Sequence, residues 1–337
     1  MKIGLTYNLK TEVNFWAPSM PVAEDMYEEF DSPETIEAIC GTLKEMGHEV
    51  VMLGFGRKMI DKIMGDKVDF VFNIAEGYVG RAREAQIPAL LEMLNIPYSG
   101  PGPLAATVTL DKISAKKIAV ISDVATPPYS VIWPDKEFSF KDITFPAILK
   151  LAYEGSSKGL RRNSKVANED EFGKQLGWLK EHYVEQPVLA EKFIAGREFA
   201  VGIIGNKNPE VLEIMEIRPK NGNIKNFIYS LEVKRNYMFE VDYYCPPDIN
   251  DSLKKKLESA ALRLFNAFDC RDICRFDFRV DEGETPYFLE ANPLPGLNPV
   301  SGDIVIMSRL QGIEYNRLIE LIMKHALERY NLVHEHV

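Results

Sequence analysis

Hydrophobic and polar positions at the start of the chain follow two alternating periods. Lys2 to Tyr7 is a short apolar run of strand length, and His48 to Leu53 and Val68 to Asn73 repeat it. Between the first two runs, Ile36, Ile39, Cys40, Leu43 and Met46 form a stripe at helical spacing, closed by Gly47. Its start is predicted at Asp31-Ser-Pro-Glu34, with Asp31 as the cap, proline in the first turn and Glu34 three residues on. The order strand, helix, strand, helix, strand predicts a parallel sheet covered by helices. Ligands of such sheets sit beyond the carboxyl ends of the strands, which puts Tyr7–Lys10 and residues 73–80 at the edge of a site. Residues 8 to 31 follow neither period and mix acids, prolines and aromatics, as a long functional loop would.

A helix is expected over residues 84–94, followed by a turn-rich stretch from Asn95 to Pro103, where a domain boundary is natural. Thr109-Leu-Asp111-Lys112 predicts a helix reaching about Asp123, and 125–132 reads as an extended connector. A strand at 145–150, a helix at 168–182 and a strand at 188–194 follow. These divide the chain into an N-terminal parallel-sheet module, 1–103, a central module, 104–187, and a C-terminal module, 188–337. The fold class is α/β.

Near the C-terminus the period of two carries chemistry. In Arg275-Phe-Asp277-Phe-Arg279-Val, the polar residues share one face and the apolar residues the other. Asp281 to Pro286 is a hairpin turn, and Phe288, Glu290 and Asn292 share a face of the returning strand. If the polar faces coincide, Asp277, Glu290 and Asn292 converge as hard oxygen ligands of the kind magnesium takes. Read alone, the pattern is equally a hairpin with one wet face.

Upstream, Glu154-Gly-Ser156-Ser157-Lys-Gly159 lies between extended segments, and its glycines let backbone N–H groups wrap an anion. It lacks the Gly-Lys-Thr/Ser ending of a P-loop, and a plain hairpin turn is the alternative. Lys150 closes the preceding strand and Lys112 opens a helix, within reach of a phosphate or simply solvated. Phe193 and Ile194 can line an apolar slot for a base beside Glu191; the alternative is an amphipathic hairpin with Glu191 outward and Phe193 inward.

Composition removes other classes. The chain has 337 residues, 46% hydrophobic and 27% charged, enough for two or three domains. With 50 acidic and 40 basic residues its net charge is −10, and no basic run is present, which argues against nucleic acid or an anionic membrane as partner. Cys40, Cys245, Cys270 and Cys274 lack the spacing of a zinc site or disulfide framework and read as buried free thiols in a reducing compartment. No apolar run approaches the ~18 residues of a membrane span and no signal peptide is seen, so a cytoplasmic location is expected.

Together, Arg275-Phe-Asp-Phe and Leu289-Glu-Ala-Asn-Pro-Leu-Pro-Gly296 resemble the metal-binding hairpin of ATP-grasp carboxylate–amine ligases, and among them the D-alanine–D-alanine ligases. The resemblance runs from about Asp69 to the C-terminal helix. It implies a pre-ATP-grasp domain followed by a two-lobed α+β ATP-grasp fold, and an ADP-forming reaction through an acyl phosphate and a tetrahedral intermediate. It also implies ATP and two magnesium ions, with manganese as a substitute, on Asp277, Glu290 and Asn292. Lys112 and Lys150 would contact ATP phosphates beneath the Ser156–Ser157 loop, residues 191–194 would present backbone groups to adenine, and Glu198 would hold the ribose. Lys234, with Arg235 as the substitute candidate, would close over the γ-phosphate from a mobile loop. Arg275 and the N–H of Gly296 would hold the oxyanion, and Ser301 the carboxylate of the incoming amino acid. A homodimer through the N-terminal module is a further expectation from the resemblance.

The resemblance fails around the first substrate. The Gly-Gly-x-Ser-x-Glu loop of the ligases is replaced by Tyr7-Asn-Leu-Lys10-Thr-Glu12, with Glu12 one position out of register. A His-Gly pair becomes Glu76-Gly77, the loop after it carries Arg81 and Arg83, and a tyrosine becomes Arg235. The expectation is a ligase with the same chemistry, small-molecule amino-acid or peptide substrates and an acyl donor other than D-alanine; Arg81, Arg83 and Arg235 could recognise a second carboxylate. Two alternatives stand beside it: a divergent D-alanine–D-alanine ligase in which Glu12 takes the ammonium, and an ATP-binding protein without turnover.

Overall fold

The computed structural model describes residues 1–10, 23–183 and 185–332. Three sheets follow one another along the chain. In the first, β1 (Lys2–Thr6) lies between β2 (Glu49–Gly54) and β3 (Phe70–Asn73), parallel to both, with helices α1 (Pro33–Glu45) and α2 (Arg57–Asp66) in the connections and α3 (Gln86–Met93) after β3. This is the expected parallel sheet. Ile3, Leu5, Phe70 and Phe72 are buried in its core.

The start of α1 differs by one residue. Ser32 is the N-cap rather than Asp31, because a residue before proline is driven to extended backbone (φ −88°, ψ 159°). Asp31 instead pairs with the 8–10 segment: its N–H donates to the Asn8 carbonyl at 2.9 Å, and its own carbonyl accepts from Lys10 N–H at 3.2 Å.

A helix not anticipated from sequence follows the turn-rich stretch: α4 (Pro103–Leu110), apolar on all sides. Asp111 breaks it from α5 (Lys112–Ile121), and its carboxylate accepts from the N–H groups of Ile113 (3.0 Å) and Ser114 (3.2 Å). That cap fixes where Lys112 emerges.

The second sheet is antiparallel, in the order β4 (Tyr129–Ile132), β7 (Val188–Lys192), β5 (Ala147–Leu151), β6 (Lys165–Val166), and α6 (Glu169–His182) packs on it through Phe172, Leu176 and Leu179. The third is also antiparallel: β10 (Val241–Tyr244), β9 (Glu210–Pro219), β8 (Arg197–Ile204), β11 (Ile273–Val280), β12 (Pro286–Asn292). The segment implied as a mobile loop carries two short helices, α7 (Leu231–Arg235) and α8 (Tyr237–Glu240).

One face of the third sheet buries Phe276, Phe278 and Phe288 against α9 (Asp251–Ala267) and against Ala115 and Ala119 of α5. The helices α10 (Asp303–Leu310) and α11 (Tyr315–Arg329) join the third sheet to the first in one core. All four cysteines are free; Cys270 and Cys274 are buried as expected, whereas Cys40 and Cys245 are partly exposed. Among the described residues no helix is long and apolar enough to cross a membrane.

Candidate active site between the three sheets

The β11–β12 hairpin falls into the anticipated register. Arg275 pairs with Asn292 and Asp277 with Glu290, and the ladder shifts only after Asp277. The polar faces therefore coincide. Arg275 grips Asp277 in two bonds of 2.9 Å and reaches Asp303 of α10 at 3.2 Å. Asn292 Nδ2 donates to Asp277 at 3.2 Å. Lys112 lies 3.5 Å from Glu290 and also donates to the Glu154 carbonyl.

Electrostatics separate the two carboxylates. Burial alone would raise both. At Glu290 the fields of Lys112, Lys234, Arg275 and Lys150 overcome it and hold the group at about 2. At Asp277 burial prevails over Arg275, so its carboxyl stands above the usual range. A divalent cation suits this donor set, which is all hard oxygen and already keeps Glu290 ionised. Among the described residues no three Asp, Glu, His or Cys side chains gather to hold a metal ion. Asn292 and the phosphates of a nucleotide would therefore complete the shell around Asp277 and Glu290.

Behind the hairpin, Lys150 lies 3.1 Å from the Glu191 carboxylate, and Lys116 lies 3.1 Å from its other oxygen. Lys116 is 0% and Glu191 1% exposed. Burial pushes Lys116 down to about 8 against the pull of Glu191. Glu191 itself, despite burial, is held below the carboxylate range by its two lysines. The outward reading of Glu191 is thus overturned: residues 191 and 193 share strand parity, and Glu191 and Phe193 both face inward while Lys192 faces solvent. Lys116 escaped the sequence reading. Its position one helical turn after Lys112 was the available signal.

Phe193 is covered by Lys165, 4.0 Å from its ring centre, and by Arg279 at 4.5 Å. Arg279 also bonds Glu198 at 3.1 Å and the carbonyl of Ile194. Burial raises Glu198 above the carboxylate range against Arg279. Arg279 had been placed on the polar face of its strand, yet no role was assigned to it. In the 155–159 loop, the left-handed positions are Ser156 (φ 49°), Ser157 (φ 58°) and Gly159 (φ 74°), so the two serines, not Gly155, make the sharp turn.

Two cavities meet at the hairpin. One is lined by Lys150, Glu191, Phe193, Ile194, Glu198 and Asp277. The other extends toward the first sheet past Arg275, Gly296 and Ser301 to Glu76, Glu84 and Asp31. Lys112, Lys234 and Glu290 line both. Lys234 sits 5.0 Å over the Tyr229 ring, and the Tyr229 hydroxyl is 2.7 Å from that of Tyr243. The N–H of Gly296 has no partner among the described residues, and Ser301 is exposed, its N–H donating to Asn298 at 3.0 Å.

The arginines read as a second-carboxylate site are engaged elsewhere. Arg81 pairs with Asp111. Arg83 makes two bonds of 2.9 Å to Glu29 and stands 3.3 Å from Glu154, while Lys158 pairs with the same two acids at 2.9 and 2.6 Å. Arg235 meets Glu28 at 2.8 Å and Glu24 at 3.3 Å. Of these acids, Glu24, Glu28 and Glu29 belong to the stretch that breaks period before α1. That stretch also supplies Asp25, which accepts from Gly159 N–H at 3.0 Å and from the Tyr183 hydroxyl at 2.7 Å. Glu12 lies outside the described residues.

A family model for the D-ala D-ala ligase C-terminus matches residues 129–324. A D-alanine–D-alanine ligase of Pelotomaculum thermopropionicum is 30% identical over 88% of this chain and 92% of its own. The chain belongs to the D-alanine–D-alanine ligase family. With that family it is an ATP-dependent ligase forming a C–N bond, of the ATP-grasp class that uses ATP and magnesium. A Sinorhizobium fredii protein described as uncharacterized is 31% identical over 87% of this chain and 88% of its own. In fold, the ligase matches the crystal structure of a Bacillus anthracis D-alanine–D-alanine ligase complexed with ATP. The TM-score is 0.75 at 22% identity, over 98% of this chain and 99% of that one.

Proposed function

We propose that this ligase joins a carboxylate to an amine through an acyl phosphate, and that its acyl donor is an amino acid or peptide other than D-alanine. The observation carrying the chemistry is the junction of the two cavities, where Lys112, Lys234 and Glu290 face both sides and Arg275 closes the far wall. ATP would occupy the first cavity, its base against Phe193 and Ile194, its ribose at Glu198 and its phosphates at Lys112 and Lys150 beneath Ser156 and Ser157. Two magnesium ions, or manganese in their place, would be held by Asp277, Glu290 and Asn292 and would neutralise phosphate charge.

A donor carboxylate oxygen attacks the γ-phosphorus and ADP leaves. The amine of the second substrate then attacks the acyl carbon, loses a proton, and inorganic phosphate departs. Arg275 and the Gly296 N–H are the donors for the oxyanion of the tetrahedral intermediate, and Lys234 holds the transferred phosphoryl group. Ser301 would take the carboxylate of the incoming amino acid. Arg235 serves instead as an anchor for Glu24 and Glu28 and is not assigned to substrate.

The altered donor is supported by the first-substrate end, where Glu76 replaces the family histidine and Glu28, Glu29 and Asp31 line the wall. A second reading, D-alanine as donor, draws on the named activity of relatives such as that of Pelotomaculum thermopropionicum. Phosphate release with magnesium-ATP across D- and L-amino acids, singly and in pairs, tests both. Turnover with D-alanine alone at rates matching any other donor would retire the first reading. The partition at 1–103, 104–187 and 188–337, a cytoplasmic location and a homodimer are parts of the same proposal; sedimentation of the purified chain as a monomer would remove the last.

A further inference from the structure

The acyl-donor end of the second cavity carries three carboxyl groups that no ion pair among the described residues engages. Glu84 is 7% exposed, lines the cavity and has neither a hydrogen bond nor an ion pair among the described residues. Glu76 and Asp31 line the same wall, likewise without side-chain partners there. The neighbouring acids differ. Glu29 and Glu154 are neutralised by Arg83 and Lys158, a closed quartet, and Glu28 is matched by Arg235. Lys10 also lines this end without an ion pair among the described residues, and its field draws Asp31 and Glu28 downward.

Burial with like-charged neighbours raises Glu76 well above the carboxylate range, and burial raises Glu84 and Asp31 to about 7. Buried carboxyls without an ion pair relieve their burial by holding a proton, and a cationic ligand bound beside them would let them ionise. Unlike the hairpin, this end has no nucleotide phosphate placed beside it to complete a metal shell, and among the described residues no three acidic side chains gather to hold one. An anionic donor does not fit either, since Arg83 and Arg235 are engaged. The α-ammonium of an amino acid answers one carboxylate and leaves the others.

We propose that the acyl donor is a basic amino acid, whose side-chain ammonium or guanidinium is received by Glu84 together with Glu76 and Asp31. This rests on the ligase reading above and names its substrate class.

The full chain with magnesium-ATP should release phosphate with lysine, ornithine or arginine, in one enantiomer, at a kcat/KM at least about 30-fold above that of norleucine or norvaline, the uncharged isosteres. Glu84→Gln should shrink that ratio about tenfold, and Glu84→Asp, which keeps the charge, should restore most of it. Equal or better turnover with the uncharged isosteres overturns the proposal and leaves the ligase reading standing. Calorimetry with magnesium-ADP separates the two: saturable binding of a basic amino acid without ATP turnover would sink the ligase reading and keep the cation pocket. Absence of saturable binding by every basic amino acid at millimolar concentration would overturn the pocket.

Discussion

The two ends of the larger cavity handle buried charge in opposite ways. At the hairpin end every carboxylate has a cation within reach: Asp277 and Asp303 share Arg275, and Glu290 faces Lys112. At the first-sheet end, Asp31, Glu76 and Glu84 feel the fields of Lys10, Arg83, Lys158 and Lys112 but form no ion pair among the described residues, next to a quartet that balances itself. A compensated cluster is rigid and preorganised for a chemistry common to a family. An uncompensated one is poised for something that arrives from outside, and it is there that this chain departs from the ligases it resembles.

Breaking the compensated end should have the largest effect. Arg275→Ala removes the cation between Asp277 and Asp303; steady-state kinetics should show kcat lower by about 10²- to 10³-fold, with nucleotide binding largely kept. Undiminished turnover would deny Arg275 any part in the oxyanion site. Next is Lys116→Met, which leaves the buried Glu191 with Lys150 alone. Denaturant unfolding should report a loss of about 3 kcal/mol, and a neutral result would mean that the second lysine is dispensable.

The uncompensated end makes a prediction about pH. Glu84 and Asp31 hold protons in the folded chain up to about 7, whereas unfolded carboxyls release them near 4.5 and 3.8. Between those limits the folded state binds more protons, so stability of the ligand-free protein should fall as pH rises from about 4 to 7, by on the order of 5–8 kcal/mol. Thermal melts should show it, and the double change Asp31→Asn with Glu84→Gln should flatten the slope. A flat slope in the unaltered chain would mean these groups are compensated after all. The smallest effect belongs to Arg235→Ala. Its pairs with Glu24 and Glu28 are partly exposed, and unfolding should shift by less than about 1 kcal/mol.

The catalytic hairpin was legible because a strand places alternate residues on one face and a tight turn returns the chain in register. Arg275, Asp277, Glu290 and Asn292 needed no distant partner to be brought together. Lys112 was legible for a similar reason, since Asp111 caps its helix within three residues. Failures came where the answer lay far along the chain. Arg83 looked free as a letter in a basic loop, yet its partner Glu29 is 54 residues away. The cap at Ser32 rather than Asp31 was a local rule missed: the residue before proline is extended, and Asp31 then pairs with the strand-end segment.

By itself the sequence determined the parallel first sheet, the hairpin with its ligand face and the kinship to carboxylate–amine ligases, all of which follow from short-range periodicity and contiguous motifs. Only the tertiary structure decided which charges are paired: that Glu191 lies between two lysines, that three arginines are engaged by acids of the chain, and that Glu84 has no ion pair among the described residues. Charge compensation depends on distance and burial between segments remote in sequence, and those exist only once the chain has folded.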